Sequence, residues 1–449
     1  MCIDNTTDTV FALSTPVGGA IAVFRATGND AKKVLSKIFT GKIEPRMLSY
    51  GRLVDGENTI DEVMAVFFAG PASYTGEDMF EINIHGSYAI ANAVSKLLAE
   101  KGLRMAAPGE FTKRAFMNGK MDLVQADAVM DLVLSDTKRS ADAALEQLKG
   151  GLSKRINLIE ESLIDFLSEL SAAMDYPDEM EDEVMSNVGR CLGENISKLE
   201  TLINNGDCSR ILREGARVVI VGKPNVGKSS LMNVLTGTER AIVTKVAGTT
   251  RDVIEEKVDI CGVPVRLTDT AGMHDALDEV ESIGIKRAVE YAETAEVIIA
   301  MFDGTAEFSQ WDCKIVEDYL DKRAIAVINK ADIDSEECER KAKLIHTMAN
   351  EAECIVVSCE TGDGIDRLCR LICDRLGFSQ GERAVVTNER HIECLIRARE
   401  DLIDAQAAGQ TDLTAVSVQS ALAHLGEITG REVGEDVLDR IFSRFCVGK

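Results

Sequence analysis

The stretch GKPNVGKS, Gly222 to Ser229, constrains the fold of this chain more than any other. It fits the pattern GxxxxGK followed by Ser or Thr, grows out of the apolar run RVVIVG and runs into SSLMNVLTG, which has helical character. A strand must deliver the backbone into a loop whose glycines let N–H groups crowd a phosphate. A helix must begin there, so that its N-terminus faces the same anion. In that setting Lys228 is predicted to reach β- and γ-phosphates, and Ser229 to offer its hydroxyl to Mg²⁺.

Four further elements follow in order. The first is TKVAGTT (Thr244, Lys245, Val246, Ala247, Gly248, Thr249, Thr250), in which Thr250 is placed to close the Mg²⁺ shell when a γ-phosphate is present. DTAG follows as Asp269, Thr270, Ala271 and Gly272: the carboxylate holds a Mg²⁺ water and the glycine N–H meets the γ-phosphate. NKAD (Asn329, Lys330, Ala331, Asp332) ends another apolar run, and the Asp332 carboxylate accepts two donors on the guanine edge. Adenine lacks that donor pair, so the nucleotide is predicted to be GTP. Ser358, Cys359 and Glu360, in SCETG, back the base from the other side, while Asn225, Val226, Gly227 and Ser230 complete the phosphate loop. The residue after DTAG is Met273, which cannot orient an attacking water. Glu281, in HDALDEVESIG, is the favoured substitute, and without an identifiable arginine finger Asn225 is predicted to help bind a monovalent cation.

The chain of 449 residues is too long for a single core. Residues 1–118 read as mixed α and β, with short apolar runs (TVFALSTP, AIAVFRATG, EVMAVFFAG, FEINIHG) and a helical stretch at 88–101. Residues 119–212 read as helical: Leu152, Ile156, Ile159, Leu163, Phe166, Leu170 and Ala173 alternate four and three apart, and DYPDEMEDE is expected to end that helix. Residues 213–376 carry alternating strand and helix signals, at 264–269, 296–303, 325–329 and 354–358 among others, which predicts a doubly wound, mainly parallel sheet. Residues 377–449 are helical again. Helical flanks on both sides imply one helical domain interrupted by an inserted Ras-like P-loop domain.

A formal net charge of −25 argues against broad, sequence-independent wrapping of nucleic acid. No apolar run approaches the roughly 20 residues that span a bilayer, and the N-terminus lacks a signal-peptide pattern, so a cytoplasmic protein without membrane contact is expected. The twelve cysteines form no CxxC pair, and Cys369 and Cys373, four apart on a helical pattern, read as core residues.

The order of these pieces, together with GPASYTGEDMFEINIHG (70–86), APGEFTKRAFMNGKMDLVQADAVMDL (107–132) and the closing ITGREVGEDVLDRIFSRFCVGK (428–449), resembles the MnmE (TrmE) family of tRNA uridine-modifying GTPases from end to end. The resemblance implies an N-terminal α+β domain that binds tetrahydrofolate and makes the protein a homodimer. It also implies a flavin (FAD)-dependent partner, in a heterotetramer or larger complex, with which an aminomethyl-type group is added at C5 of the wobble uridine of certain tRNAs. The one-carbon donor would be 5,10-methylene- or 5-formyl-tetrahydrofolate, bound by residues matching Arg25, Glu81, Lys120 and Lys449. The family further implies K⁺ held by Asn225, the Thr244 and Val246 backbones and Thr249, with Glu281 positioning water and Cys446 as a candidate chemical group. The chain departs from the family pattern in TPVGGA, which is a residue shorter and lacks an Arg, in HGS for HGG, in His274 for Arg, in Cys359 for Ala, and in CVGK for CIGK. A GTPase whose flanks merely bind RNA or protein, as in ribosome assembly, shares the five nucleotide motifs. The N-terminal blocks and the FCVGK ending separate the two readings and favour modification.

Overall fold

A computed structural model describes residues 8–204, 206–237, 255–269, 292–320, 323–349, 352–378 and 388–448. The chain divides into two compact units, residues up to 130 with residues from 422 onward, and residues 131–421.

The first unit is built on a sheet of six described strands: β1 Val10–Leu13, β2 Ile21–Thr27, β3 Ser49–Asp55, β4 Asn58–Phe68, β5 Met79–His85 and β6 Arg104–Met105, in the order β3-β4-β5-β2-β1-β6. Period-2 alternation decides its faces. Ala22, Phe24 and Ala26 of β2 and Phe80, Ile82 and Ile84 of β5 are buried with residues of the Ala31–Ile38 and Tyr88–Glu100 helices. The intervening residues face the other way, and the antiparallel register sets Arg25 directly opposite Glu81. Ser87, the departure from HGG, caps the Tyr88–Glu100 helix: its hydroxyl accepts the Ala89 N–H at 3.3 Å.

Charge closes one end of this sheet. Buried Arg114 binds the Asp8 carboxylate at 2.6 Å and Glu110 at 2.8 Å, and Arg104 binds the same two carboxylates at 2.7 and 2.6 Å. Burial works upward on both carboxyls, but the two arginines outweigh it and hold Asp8 and Glu110 below the usual carboxylate range. The end of the chain joins this unit rather than the helical segments it follows. Leu438, Phe442 and Phe445 share a core with Leu123, Ala126 and Met130, and Lys113 binds Asp439 at 2.5 Å.

The second unit holds β7 Ala216–Gly222, β8 Glu255–Ile260, β9 Val263–Asp269, β10 Val297–Asp303, β11 Ala324–Asn329 and β12 Cys354–Val356, in the order β12-β11-β10-β7-β9-β8. All these pairings are parallel except β8 with β9. The central strands are buried on both faces, between two apolar clusters, which is why they read as continuous apolar runs. This is the expected doubly wound sheet. Cys369 and Cys373 lie in its core, and burial, followed by the neighbouring Cys261, pushes the Cys373 thiol far upward.

The seam residues from Leu152 to Ala173 are buried along the Gly151–Asp175 helix. The helix ends at Asp175, at the start of the acidic run, as expected, but the run itself is helical rather than a break. Only Tyr176 interrupts the helix, and Pro177 opens the next, Pro177–Asn204. A proline suits that first position because no intrahelical partner is needed for its missing N–H, and Asp178 and Glu179 favour the positive end of the helix dipole. Across the α/β segment, the Glu389–Ala407 helix returns to this one: Gln406 donates to the Gly189 carbonyl at 3.1 Å, and Thr411 to Glu181 at 2.8 Å. The helical part is therefore interrupted, as expected. Among the described residues no helix is long and apolar enough to cross a membrane.

Candidate functional site

The carboxyl ends of β7, β9 and β11 carry Gly222, Asp269 and Asn329, and the parallel register of β7 with β9 sets Ile220 beside Asp269. Loops at this edge of an open parallel sheet are where such folds hold ligands. After β7 the backbone turns through Asn225 at φ 65° and Gly227 at φ 102° before the Lys228–Leu235 helix starts. Gly227 cannot be replaced without movement, because a Cβ there would lie 2.3 Å from Asn329 Nδ2. Lys228 Nζ donates to the carbonyls of Gly222 at 2.9 Å and Lys223 at 2.7 Å, which hold the ammonium inside the curve of the loop. Ser229 and Ser230 lie exposed in the first helical turn.

One buried side chain joins three of the predicted motifs. Asn329 Nδ2 donates to the Val226 carbonyl at 3.0 Å, and its Oδ1 accepts the Cys359 N–H at 3.1 Å. The Asp332 carboxylate is oriented from SCETG: buried Ser358 Oγ donates to Asp332 Oδ1 at 2.6 Å and accepts the Thr361 N–H at 3.2 Å. Burial, and then the Asp332 charge, push the Cys359 thiol up to about 11, so it stays protonated beside that carboxylate. Lys330 stands at φ 76°, and its ammonium binds Asp303 Oδ2 at 2.5 Å. Ala331 N–H donates to the Val357 carbonyl at 3.2 Å, and Glu360 is exposed in the turn that follows Cys359. Thr244, Lys245, Val246, Ala247, Gly248, Thr249, Thr250, Thr270, Ala271, Gly272, Met273, His274 and Glu281 lie outside the described residues, as does Lys449.

A second cluster belongs to the first unit. Arg25 binds Glu81 Oε1 through Nε at 2.9 Å and Nη2 at 2.7 Å, and its guanidinium lies 5.8 Å from the ring centres of both Tyr74 and Phe111. The remaining Arg25 nitrogen, Nη1, donates to the Gly448 carbonyl at 3.2 Å. The Cys446 carbonyl accepts the Gly109 N–H at 3.3 Å, and the Cys446 residue is exposed. Lys120 donates to the Pro71 carbonyl at 2.9 Å, on the loop that carries Tyr74. Tyr74 and Phe111 were not singled out in the sequence, where a lone aromatic has no spacing signature.

Sequence reasoning also missed Asp303 and Asp312. Lys223, inside the phosphate loop, binds the Asp312 carboxylate, and the pattern Ser309-x-x-Asp312 was a legible capping box.

A parallel sheet with a glycine-rich phosphate loop ending one strand and the motif NKAD at the end of another defines a P-loop GTPase, an enzyme that binds and hydrolyses GTP. The MnmE helical domain model matches residues 123–446, and the model of the GTP-binding protein TrmE N-terminus matches residues 9–120. A tRNA modification GTPase MnmE of Alkaliphilus oremlandii is 39% identical over 463 residues, spanning 98% of this chain and 99% of its own length. That of Alkaliphilus metalliredigens is 41% identical over 462 residues, with the same coverage of 98% and 99%. A solved structure of Aquifex aeolicus Era bound to GDP.AlF4- is 29% identical, covering 42% of this chain and 67% of its own at a TM-score of 0.31. The chain belongs to the MnmE family of tRNA modification GTPases.

Proposed function

We propose that this chain uses GTP hydrolysis to drive modification of the wobble uridine of certain tRNAs, adding an aminomethyl-type group at C5 with a one-carbon unit from tetrahydrofolate. It acts in the cytoplasm as a homodimer, in a larger complex with a flavin-dependent partner. Its parts are a folate-binding and dimerising domain (1–118), a helical domain (119–212 and 377–449) whose two outer stretches, up to 130 and from 422, pack with the first unit, and an inserted GTPase domain (213–376).

The observation that supports the reading is the hydrogen bond that Arg25, beside Glu81, donates to the Gly448 carbonyl of the closing segment. The residues there suit a reduced folate. Glu81 is a carboxylate acceptor for pterin N–H donors, Tyr74 and Phe111 flank the site with aromatic faces, and Arg25 supplies positive charge. Lys120 and Lys449 would answer the charge of a glutamate tail. A bound folate supplies the one-carbon unit, while the chain's own part is to orient it and to keep the terminal segment with Cys446 nearby.

At the nucleotide, Ser229 and Thr250 would hold Mg²⁺. Asn225 is exposed at a left-handed position and its carboxamide oxygen is the kind of ligand K⁺ takes, alongside the Thr244 and Val246 carbonyls and Thr249. Bound K⁺ would supply positive charge in place of an arginine finger, and Glu281 would orient the water.

Titration of the purified protein with 5-formyl-tetrahydrofolate tests the folate site, and wobble-nucleoside analysis of a deletion strain carrying this chain tests the reaction. Saturable binding that Glu81→Ala abolishes, with restored modification, is expected. Restored modification without folate binding would overturn the one-carbon assignment.

A further inference from the structure

The segment from Asp303 to Asp312 touches both nucleotide-binding loops at once, and no nucleotide motif includes it. It leaves the carboxyl end of β10 and runs into the Gln310–Tyr319 helix. At its first residue, the Asp303 carboxylate binds the ammonium of Lys330, the second residue of the base-reading NKAD, at 2.5 Å. Its other oxygen accepts from the Thr305 backbone at 2.9 Å and hydroxyl at 2.7 Å, so the carboxylate cannot swing away cheaply. At its last residue, the buried Asp312 carboxylate binds the ammonium of Lys223, the first variable residue of the phosphate loop, which also donates to Ser309 Oγ at 2.5 Å.

The segment itself is held. Gly304 N–H donates to the Asn329 carbonyl at 2.9 Å, and a Cβ at Gly304 would sit 2.0 Å from Cys338 Sγ. Buried Lys341 donates to the carbonyls of Asp303, at 2.5 Å, and Ala306. Ser309 N–H donates to Asp312 Oδ2 at 2.8 Å, which fixes the carboxylate from its own helix end.

We propose that Asp303 and Asp312 are positioning residues that brace the base-reading and phosphate loops against one short segment, so that the two halves of the GTP site are set relative to each other before nucleotide arrives. The physical reason is the geometry of the partners. Lys228 Nζ donates to the Lys223 carbonyl at 2.7 Å, so fixing Lys223 through its side chain fixes an acceptor that holds the phosphate-binding ammonium. Lys330 stands in a left-handed conformation that costs a non-glycine residue free energy, and the ion pair with Asp303 is what opposes its relaxation. The inference rests on the GTPase reading of the site.

The test uses the full-length chain, the affinity of a fluorescent GDP, steady-state GTP hydrolysis and thermal melting. A charge-assisted hydrogen bond at a partly buried site makes about a tenfold loss of GDP affinity the expectation for Lys223→Met and for Asp312→Asn. The double variant should lose no more than either single one, because both remove the same link. Lys223→Arg keeps the cation and should restore GDP affinity. Asp303→Asn should also weaken GDP by about tenfold. Combined with Asp312→Asn it should lose less than the product of the two, because one segment serves both loops. For every variant the loss should fall on KM, with kcat at saturating GTP little changed. GDP affinity within about twofold of wild type, with a lowered melting temperature alone, would overturn the proposal and leave the carboxylates as fold supports. Strictly multiplicative losses for Asp303→Asn and Asp312→Asn would overturn the coupling. Loss of GDP binding by Asp332→Asn with no effect of either brace variant would sink the brace while leaving the GTPase site intact.

Discussion

Gly227→Ala should cripple the GTP site through a side chain that is not in the phosphate loop. The added methyl carbon would lie 2.3 Å from Asn329 Nδ2, well inside contact distance. Asn329 must then leave its place, and with it the hydrogen bonds to the Val226 carbonyl and from the Cys359 N–H. Two net hydrogen bonds amount to about 1–3 kcal/mol. Holding alanine at φ 102° adds about 1–2 kcal/mol, so the total is roughly 2–5 kcal/mol. Part of this destabilises the fold, and the rest weakens the nucleotide, because the freed Asn329 no longer ties the phosphate loop to SCETG. Fluorescent-GDP titration should show affinity reduced by about tenfold or more, which corresponds to about 1.4 kcal/mol, and melting should come earlier. Wild-type affinity and melting would mean that the loop and Asn329 part without cost, and the reasoning would be wrong.

Four further outcomes follow. Asp332→Asn should move preference from GTP toward XTP, because the carboxylate held by Ser358 no longer accepts both guanine-edge donors; an unchanged GTP preference refutes NKAD as the base reader. KCl should accelerate hydrolysis over NaCl in wild type and much less in Asn225→Ala, and equal rates in the two salts for wild type would remove K⁺ from the mechanism. Cys446→Ser should preserve hydrolysis and melting while lowering tRNA modification in a deletion strain; full restoration would leave the thiol without a chemical role. Asp8 and Glu110 have carboxyls held below their unfolded values by Arg104 and Arg114, so their stabilisation is complete above about pH 4–5 and is lost as pH falls through the lowered values. Melting temperature should therefore fall on acidification less steeply in Glu110→Gln than in wild type, and identical slopes would contradict the linkage.

The nucleotide site was legible because phosphate and base chemistry demand fixed residue types at strand ends. Gly222, Gly227 and Lys228 lie at the end of β7 and the start of the helix that follows, and Asn329 ends β11, the strand and loop positions that the motifs imply. The parallel strands were legible because burial on both faces makes them uninterrupted apolar runs. By contrast β8, EEKVDI, pairs among the described residues with β9 alone and buries Val258 and Ile260, so its sequence looks mostly polar. Pro177 was read as a stop, although the physics of the first helical turn makes it equally a start. Pairs such as Lys223 with Asp312, or Arg25 with the Gly448 carbonyl, depend on approaches between residues far apart in sequence, which no periodicity encodes.

The first unit is assembled from both ends of the chain: Ser14 and Arg25 near the start meet the Gly448 carbonyl, and Phe442 and Phe445 complete a core with Leu123 and Ala126. On a ribosome the two pieces emerge far apart in time. The nearly 300 residues between 130 and 422 take roughly 15–60 s to make at about 5–20 residues per second. For that interval the helical residues Phe116 and Leu123 of the opening unit wait without the cover of Phe442 and Phe445, while all the described strands of the intervening GTPase segment are already made. A nascent chain halted before residue 430 should therefore present a folded nucleotide site alongside a chaperone-accessible N-terminal unit. Phe442, Phe445 and Gly448, made long after the sheet they meet, would be the residues that seal the unit begun first.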